Sequence, residues 1–350
     1  MSSLVPLLSL LGAPKGEPAV LIGLPRIGNV TPLLDHYSRR IRKLRRFSGS
    51  DIAMSTWTFV RQLLVRKPLL PNIQRIETLS FQPEDVGIAL ILVSPSLRVM
   101  EISPWFPVHS QRGTTQDEFR YTILNFLETT RCESPHVTTL IFEEYCDLPT
   151  VSATESFEIM ARFQHLRNLE LPSKSPVGQA GFRTLATFPC LLHLTCSPGK
   201  FSIDGSQSAF RLGPNAFSGL QELRLISLDG LEDAAGIILA FHPKAPRSIA
   251  LDQSHGIDSG WNSIDPHTPF RDIPLMDHPL LHLSLGNLKA GKGHVHIKAG
   301  ALLDRLFPDL DFSDASFIPT EEADSRWPYA EWRRVQQVLL AIQNGRKSRL

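Results

Sequence analysis

Apolar residues recur along this chain in one short frame, apolar-x-x-apolar-x-apolar. Copies begin at Ile76, Leu97, Val137, Leu166, Leu191, Leu220, Pro246 and Leu280. The clearest are LRNLEL (Leu166, Leu169, Leu171), LQELRL (Leu220, Leu223, Leu225) and LLHLSL (Leu280, Leu283, Leu285). The weakest is PRSIAL, where Pro246 takes the first apolar place. The end of each frame alternates inward and outward, as a strand with one buried face does. Starts lie 21, 40, 29, 25, 29, 26 and 34 residues apart, and the 40-residue interval predicts a helical insertion.

Between these strands, helices are predicted over Asp117–Arg131, Thr154–Phe163, Ala180–Phe188 and Leu231–Phe241. Strand and helix thus alternate, an α/β pattern with a period mostly near the ~20–29 residues of leucine-rich repeats. Adjacent parallel strands sit about 4.8 Å apart, whereas packed helices need about 8–10 Å. Stacking such units is therefore expected to give an irregular leucine-rich-repeat solenoid, with a curved parallel sheet on the concave face and helices on the convex one. The expected organisation is a flexible lead-in over 1–30, an N-terminal helical cap over 31–70, the solenoid over 71–312, and an acidic loop with a C-terminal capping helix over 313–350. Within the first cap, Thr31–Phe47 reads as a basic amphipathic helix whose stripe is Leu34, Tyr37, Ile41 and Leu44, started by Thr31-Pro32. A second helix is expected over Ser55–Val65, with Trp57, Val60, Leu63 and Leu64 inward. The closing helix, Pro328–Gln343, aligns Trp332, Val335, Val338, Leu339 and Ile342.

Composition narrows the function classes. The chain has 350 residues, 42% of them hydrophobic, enough to bury a core. Its 36 basic and 35 acidic residues leave a formal charge of +1, so no long-range field favours nucleic acid or an anionic membrane. Cys132, Cys146, Cys190 and Cys196 show no paired ligand spacing, which fits a reducing cytoplasmic or nuclear setting. No run of 18 apolar residues exists, and LVPLLSLLGA lacks the basic segment of a secretory signal. Arg39, Arg40, Arg42, Lys43, Arg45 and Arg46 read as a solvated face, with nuclear import as the sharper alternative.

Catalytic signatures are not found. The chain has no Gly-x-Ser-x-Gly elbow and no phosphate-binding P-loop. GKGHVHIKAG offers only a lone Gly-x-Gly, and His294 and His296 have no nearby ligand to complete a metal site. No catalytic residue, cofactor or metal is expected, and the chain is read as a non-enzyme. Positions three and five of each frame should point onto the concave surface. They are Thr78 and Ser80, Val99 and Glu101, Thr139 and Ile141, Asn168 and Glu170, His193 and Thr195, Glu222 and Arg224, Ser248 and Ala250, His282 and Ser284. Glu101, Thr139, Asn168, Glu170, His193, Glu222, Arg224 and His282 are the candidate partner-binding residues, with Trp261 in the loop Ser254–Pro269 either an anchor or folded back onto the neighbouring repeat. The acidic bias suits a basic or neutral polar protein partner, with neither nucleic acid nor membrane.

The order of elements resembles the repeat portion of the large F-box-like family of basidiomycete fungi. The carrying residues are YSRRIR (Tyr37–Arg42), LLPNI (Leu69–Ile73) and SPSL (Ser94–Leu97), followed by FQHLRNLELP, LQELRLISLDG and LLDRLFPDLD (Leu302–Asp311). The resemblance implies a substrate-recognition module of a cullin ubiquitin ligase. About thirty residues precede the basic helix, and none form the Leu-Pro-x-Glu-type opening of an F-box. The part that docks onto the cullin linker subunit is therefore expected to be absent, whether it belongs to a longer form or was lost from this member of the family. An orphan leucine-rich-repeat scaffold is the alternative reading, and an enzyme with an unrecognised site is a third.

Overall fold

The computed structural model describes residues 4, 7–8, 27–48, 53–64, 67–82, 86–104, 116–143, 150–199, 212–213, 216–226, 237, 248–251, 282–285, 337 and 339–341. The chain divides into two compact units, one formed by Met1–Ser175 with Phe188–Cys190, the other by Pro176–Thr187 with Leu191–Leu350. Both are α/β, and every strand pairing described within them is parallel.

In unit 1 the order is α1 (Ile27–Ser38), β1 (Lys43–Leu44), β2 (Phe47–Ser48), α2 (Met54–Leu64), β3 (Arg75–Phe81), α3 (Val86–Ile91), β4 (Val99–Pro104), α4 (Gln116–Glu133), β5 (Thr139–Phe142), α5 (Thr150–Met160) and β6 (Asn168–Glu170). Parallel neighbours need a long crossover, which the helices supply. β1 and β2 pair with successive parts of β3, so they are two halves of one strand interrupted at Arg45–Arg46. Next come β4, β5 and β6 in sequence order. Unit 2 contains α6 (Gln179–Leu185), β7 (His193–Cys196), β8 (Glu222–Leu225), β9 (Ser248–Leu251) and β10 (His282–Leu285). Its four strands also pair in sequence order.

All eight apolar frames lie at strands, and one backbone device repeats at their entrances. In unit 1 the Arg42 carbonyl accepts the N–H groups of Gln74 and Arg75, and the Gln74 carbonyl those of Arg98 and Val99. Likewise the Arg98 carbonyl accepts Thr138 and Thr139, and the Thr138 carbonyl accepts Arg167 and Asn168, all within 2.8–3.1 Å. Unit 2 repeats it, the Leu192 carbonyl accepting Gln221 and Glu222 and the Gln221 carbonyl accepting Ser248. One carbonyl per repeat thus sets the register of the next strand.

That register corrects the first frame. Ile76 stands opposite Met100, the second apolar residue of the following repeat, and Leu79 stands opposite Ile102, the third. The repeat therefore begins at Ile73, fully buried, and a bulge between Ile76 and Leu79 adds one residue. The same spacing precedes it, since Leu44 pairs with Ile76 and Phe47 with Leu79. Ile41-x-x-Leu44-x-x-Phe47 is thus a further repeat entrance that the sequence reading assigned to a helix. The helix expected over Thr31–Phe47 ends at Ser38 and begins at Ile27, inside the expected lead-in, so Thr31 is no cap and Pro32 is internal. Leu34 and Ser38 of α1 face inward while Tyr37 is exposed. Also within 1–30, Leu4, Leu7 and Leu8 are buried and Leu8 N–H donates to the Leu4 carbonyl.

The other helices fall near their expected places, although α5 begins four residues before Thr154 and ends three before Phe163, and α6 ends three residues before Phe188. α2 matches within a residue at each end, burying Trp57 and Val60 with Leu63 and Leu64 half-buried. α4 fills the long interval, its Phe119, Ile123, Phe126, Leu127 and Thr130 forming one buried stripe. Asp117 and Glu118 in its first turn and Arg131 in its last complement the helix dipole. Arg120 of α4 pairs with Glu155 of α5 through two hydrogen bonds, tying the crossovers together. The short helix α3 had no counterpart in the sequence reading. Of the helix expected over Leu231–Phe241 only Ile237 is described, and it is buried. The expected closing helix lies mostly outside the described residues; of its described ones, Leu339 is buried and Gln337 exposed. In unit 2, Phe217 adopts φ 52° just before β8, a conformation costing roughly 1–3 kcal/mol for a bulky residue. It is held by its N–H on the Ala186 carbonyl and its own carbonyl on Leu220 N–H.

Candidate binding surface

Alternation along each strand gives the sheets one buried face and one open face. In unit 1 the buried rows are Ile73, Leu97, Val137 and Leu166, then Leu44, Ile76, Met100, Leu140 and Leu169, then Phe47, Leu79, Ile102, Phe142 and Leu171. Burying each such side chain contributes about 1.5–3 kcal/mol. The intervening residues form the open face. Lys43, Arg75, Val99, Thr139 and Asn168 make its first row. Glu101, Ile141 and Glu170 make the second, with Glu77 and Thr78 of the bulge opposite Glu101.

This placement brings together four expected residues, Glu101, Thr139, Asn168 and Glu170, all half-buried. The Asn168 side-chain amide donates to Thr139 Oγ1 at 3.2 Å. Thr78 and Ser80 do not fill the third and fifth places, because the bulge shifts the frame; Arg75 and Glu77 do. Sequence reasoning missed these two and Lys43, although Ile73-x-x-Ile76 was there to place them. Lys43 Nζ lies 2.5 Å from Glu77 Oε1 and Arg75 Nε lies 3.4 Å from the same oxygen. The hydrogen bond from Lys43 holds the Glu77 carboxyl below its usual range.

Glu101 behaves in the opposite sense. Burial pushes its carboxyl above the usual range, and the charges of Glu143, Glu77 and Glu170 add to that while Arg75 opposes it. The folded chain therefore holds a proton at Glu101 more readily than the unfolded chain. The resulting penalty is absent below the unfolded value and complete once pH has risen through the folded one. Glu101→Gln is expected to gain stability relative to the parent as pH rises from about 4 to 7. Chemical denaturation at several pH values measures this, and a constant difference would contradict the assignment.

In unit 2 the open face carries His193, Glu222 and Ser248 in one row and Thr195, Arg224 and Ala250 in the next. His193 Nδ1 lies 3.1 Å from Glu222 Oε2 across adjacent strands, both groups nearly half exposed. His282 falls opposite Ser248 in the backbone register. Trp261, His294 and His296 lie outside the described residues.

The remaining chemistry is modest. Cys196 is buried in its frame, and burial pushes its thiol up. Among the described residues no group of three or more His, Cys, Asp or Glu side chains is placed to hold a metal ion. No helix among them is long and apolar enough to cross a membrane. What the arrangement offers is a set of open, mostly polar rows, graded in unit 1 from cations at Lys43 and Arg75 to carboxylates at Glu101, Glu143 and Glu170. Comparison with protein-family models, curated proteins and solved structures yields no match to this chain.

Proposed function

We propose that this chain is a non-catalytic protein-binding module, a leucine-rich-repeat solenoid that captures its partner on the open strand faces. The observation that carries the reading is the repeating entrance carbonyl. It sets successive strands in matching register and so aligns outward side chains into rows that an extended partner can span. Such a face gives specificity through a few charged and polar groups on a stiff frame. The carboxylates Glu101 and Glu170 on the open face of unit 1, and Glu222 on that of unit 2, each favour a basic or neutral polar protein segment. The resemblance to F-box-like proteins supports a specific form of this reading, substrate recognition for a cullin ubiquitin ligase.

Affinity purification of the full chain from a basidiomycete extract, with mass spectrometry of what is retained, tests both levels. Glu170→Lys with Glu222→Lys is expected to reduce retention of the enriched partner about tenfold while thermal melting stays unchanged. Undiminished retention would exclude the strand faces. Cullin and its linker subunit in the eluate would support the ligase form. A different enriched partner without them would leave a stand-alone scaffold.

A further inference from the structure

A second surface stands at the α1–β1 end of unit 1. On α1, Leu34 and Ser38 face the core, while the neighbouring stripe turns Leu33 and Tyr37 outward, 49% and 44% exposed. Four residues apart, they lie on one side of the helix. The His36 ring meets Tyr37 edge-on at 5.3 Å. Arg40 extends the stripe, its N–H bonded to the Tyr37 carbonyl at 3.0 Å. Beyond it Arg42, Lys43, Arg45 and Arg46 are all exposed, at a strand that pairs only with β3 among the described residues.

The connection holding these groups is fixed. Arg42 Nη1 donates to the Asn72 carbonyl at 3.2 Å, and Asn72 Nδ2 donates to the Arg39 carbonyl at 2.8 Å. Two carboxylates occupy part of the charge, Asp35 on Arg39 and Glu77 on Lys43. Arg40 and Arg46 have no ion-pair partner among the described residues, and Arg45 acts on Glu77 only by longer-range attraction.

We infer that this end of unit 1 docks an acidic protein segment carrying one or two large apolar side chains. Its carboxylates would meet Arg40, Arg45 and Arg46, and its apolar side chain would cover Leu33 and Tyr37. Charge complementarity selects the partner's sign, and position selects its shape. Glu101, Glu143 and Glu170 lie on and beside the strands past β3, so a broad polyanion such as a nucleic acid or an anionic bilayer is disfavoured where a narrow segment is not. The exposed Leu33–Tyr37 pair asks for an apolar contact that a phosphate backbone lacks. This surface adjoins the open strand rows at Lys43 and Arg45, the third and fifth places of the repeat beginning at Ile41, while Leu33, Tyr37, Arg40 and Arg46 lie outside those rows.

The test is fluorescence anisotropy of the full chain with labelled peptides of about twelve residues, half Asp or Glu, with and without two leucines. A single-stranded oligonucleotide and phosphatidylserine vesicles serve as rival probes. The leucine-bearing acidic peptide is expected to bind best and to weaken with added salt. Arg40→Glu, Arg45→Glu and Arg46→Glu together, or Leu33→Ser with Tyr37→Ser, should weaken it about tenfold or more. The matching Arg→Lys triple should retain most of the binding, and Glu170→Lys with Glu222→Lys should leave it unchanged. Leu33, Tyr37, Arg40, Arg45 and Arg46 are all exposed, and circular dichroism confirms that each variant is folded. No peptide binding, equal binding by the Glu triple, or tighter binding of the oligonucleotide or vesicles would overturn the proposal.

Discussion

Truncating Phe126 to alanine is expected to cost about 3–5 kcal/mol of unit 1 stability. Phe126 is fully buried on α4, and its ring lies 4.9 Å from that of Phe81 at the end of β3. The pair joins the longest crossover to the sheet, and aromatic contact adds roughly 0.5–1.5 kcal/mol beyond burial. Tyr121 on the same helix is 65% exposed, so Tyr121→Ala should fall within about 0.5 kcal/mol. Denaturant titration with amide-exchange protection of β3, β4 and α4 compares the two. Similar costs would mean that α4 does not pack as described.

The second large effect tests where the repeat begins. If β3 follows the frame starting at Ile73, Ile73→Ala removes a fully buried side chain and costs about 2–5 kcal/mol. Thr78→Ala then touches only a half-buried bulge residue and stays within about 0.5–1 kcal/mol. The frame starting at Ile76 makes Ile73 a linker residue and turns Thr78 outward, and so predicts small costs for both. The same denaturation measurement decides between them.

Those two frames also show what the sequence could disclose. From Leu97 to Leu225 the spacing of leucines and other apolar residues placed each strand correctly, because an unbulged strand with one buried face alternates strictly. The outward positions followed, so Glu101, Thr139, Asn168, Glu170, His193, Glu222 and Arg224 were legible. At the start of the chain the same logic failed for a physical reason. Ile41, Leu44 and Phe47 are separated by three residues each, as are Ile73, Ile76 and Leu79. A spacing of three marks a helical face as readily as a bulged strand. Six cations in the window 39–46 reinforced the helical reading, and only pairing with β3 resolves it. Lys43, Arg75 and Glu77 were hidden with it. The charge coupling at Glu101 was equally out of reach, since it depends on carboxylates from β3, β6 and the end of β5 meeting around one residue.

The entrance carbonyls carry one more implication, for how such a chain changes length over time. In unit 1 successive repeats begin at Ile73, Leu97, Val137 and Leu166, so the first interval is 24 residues, the second 40 and the third 29. Yet each strand is addressed by the same pair of N–H groups on the same carbonyl. Insertions between one address and the next are free to accumulate in the crossover, while a single-residue slip at the address turns a whole row inside out. Length drift is thereby confined to the crossovers, and the strand faces can keep their pattern while the chain around them diverges.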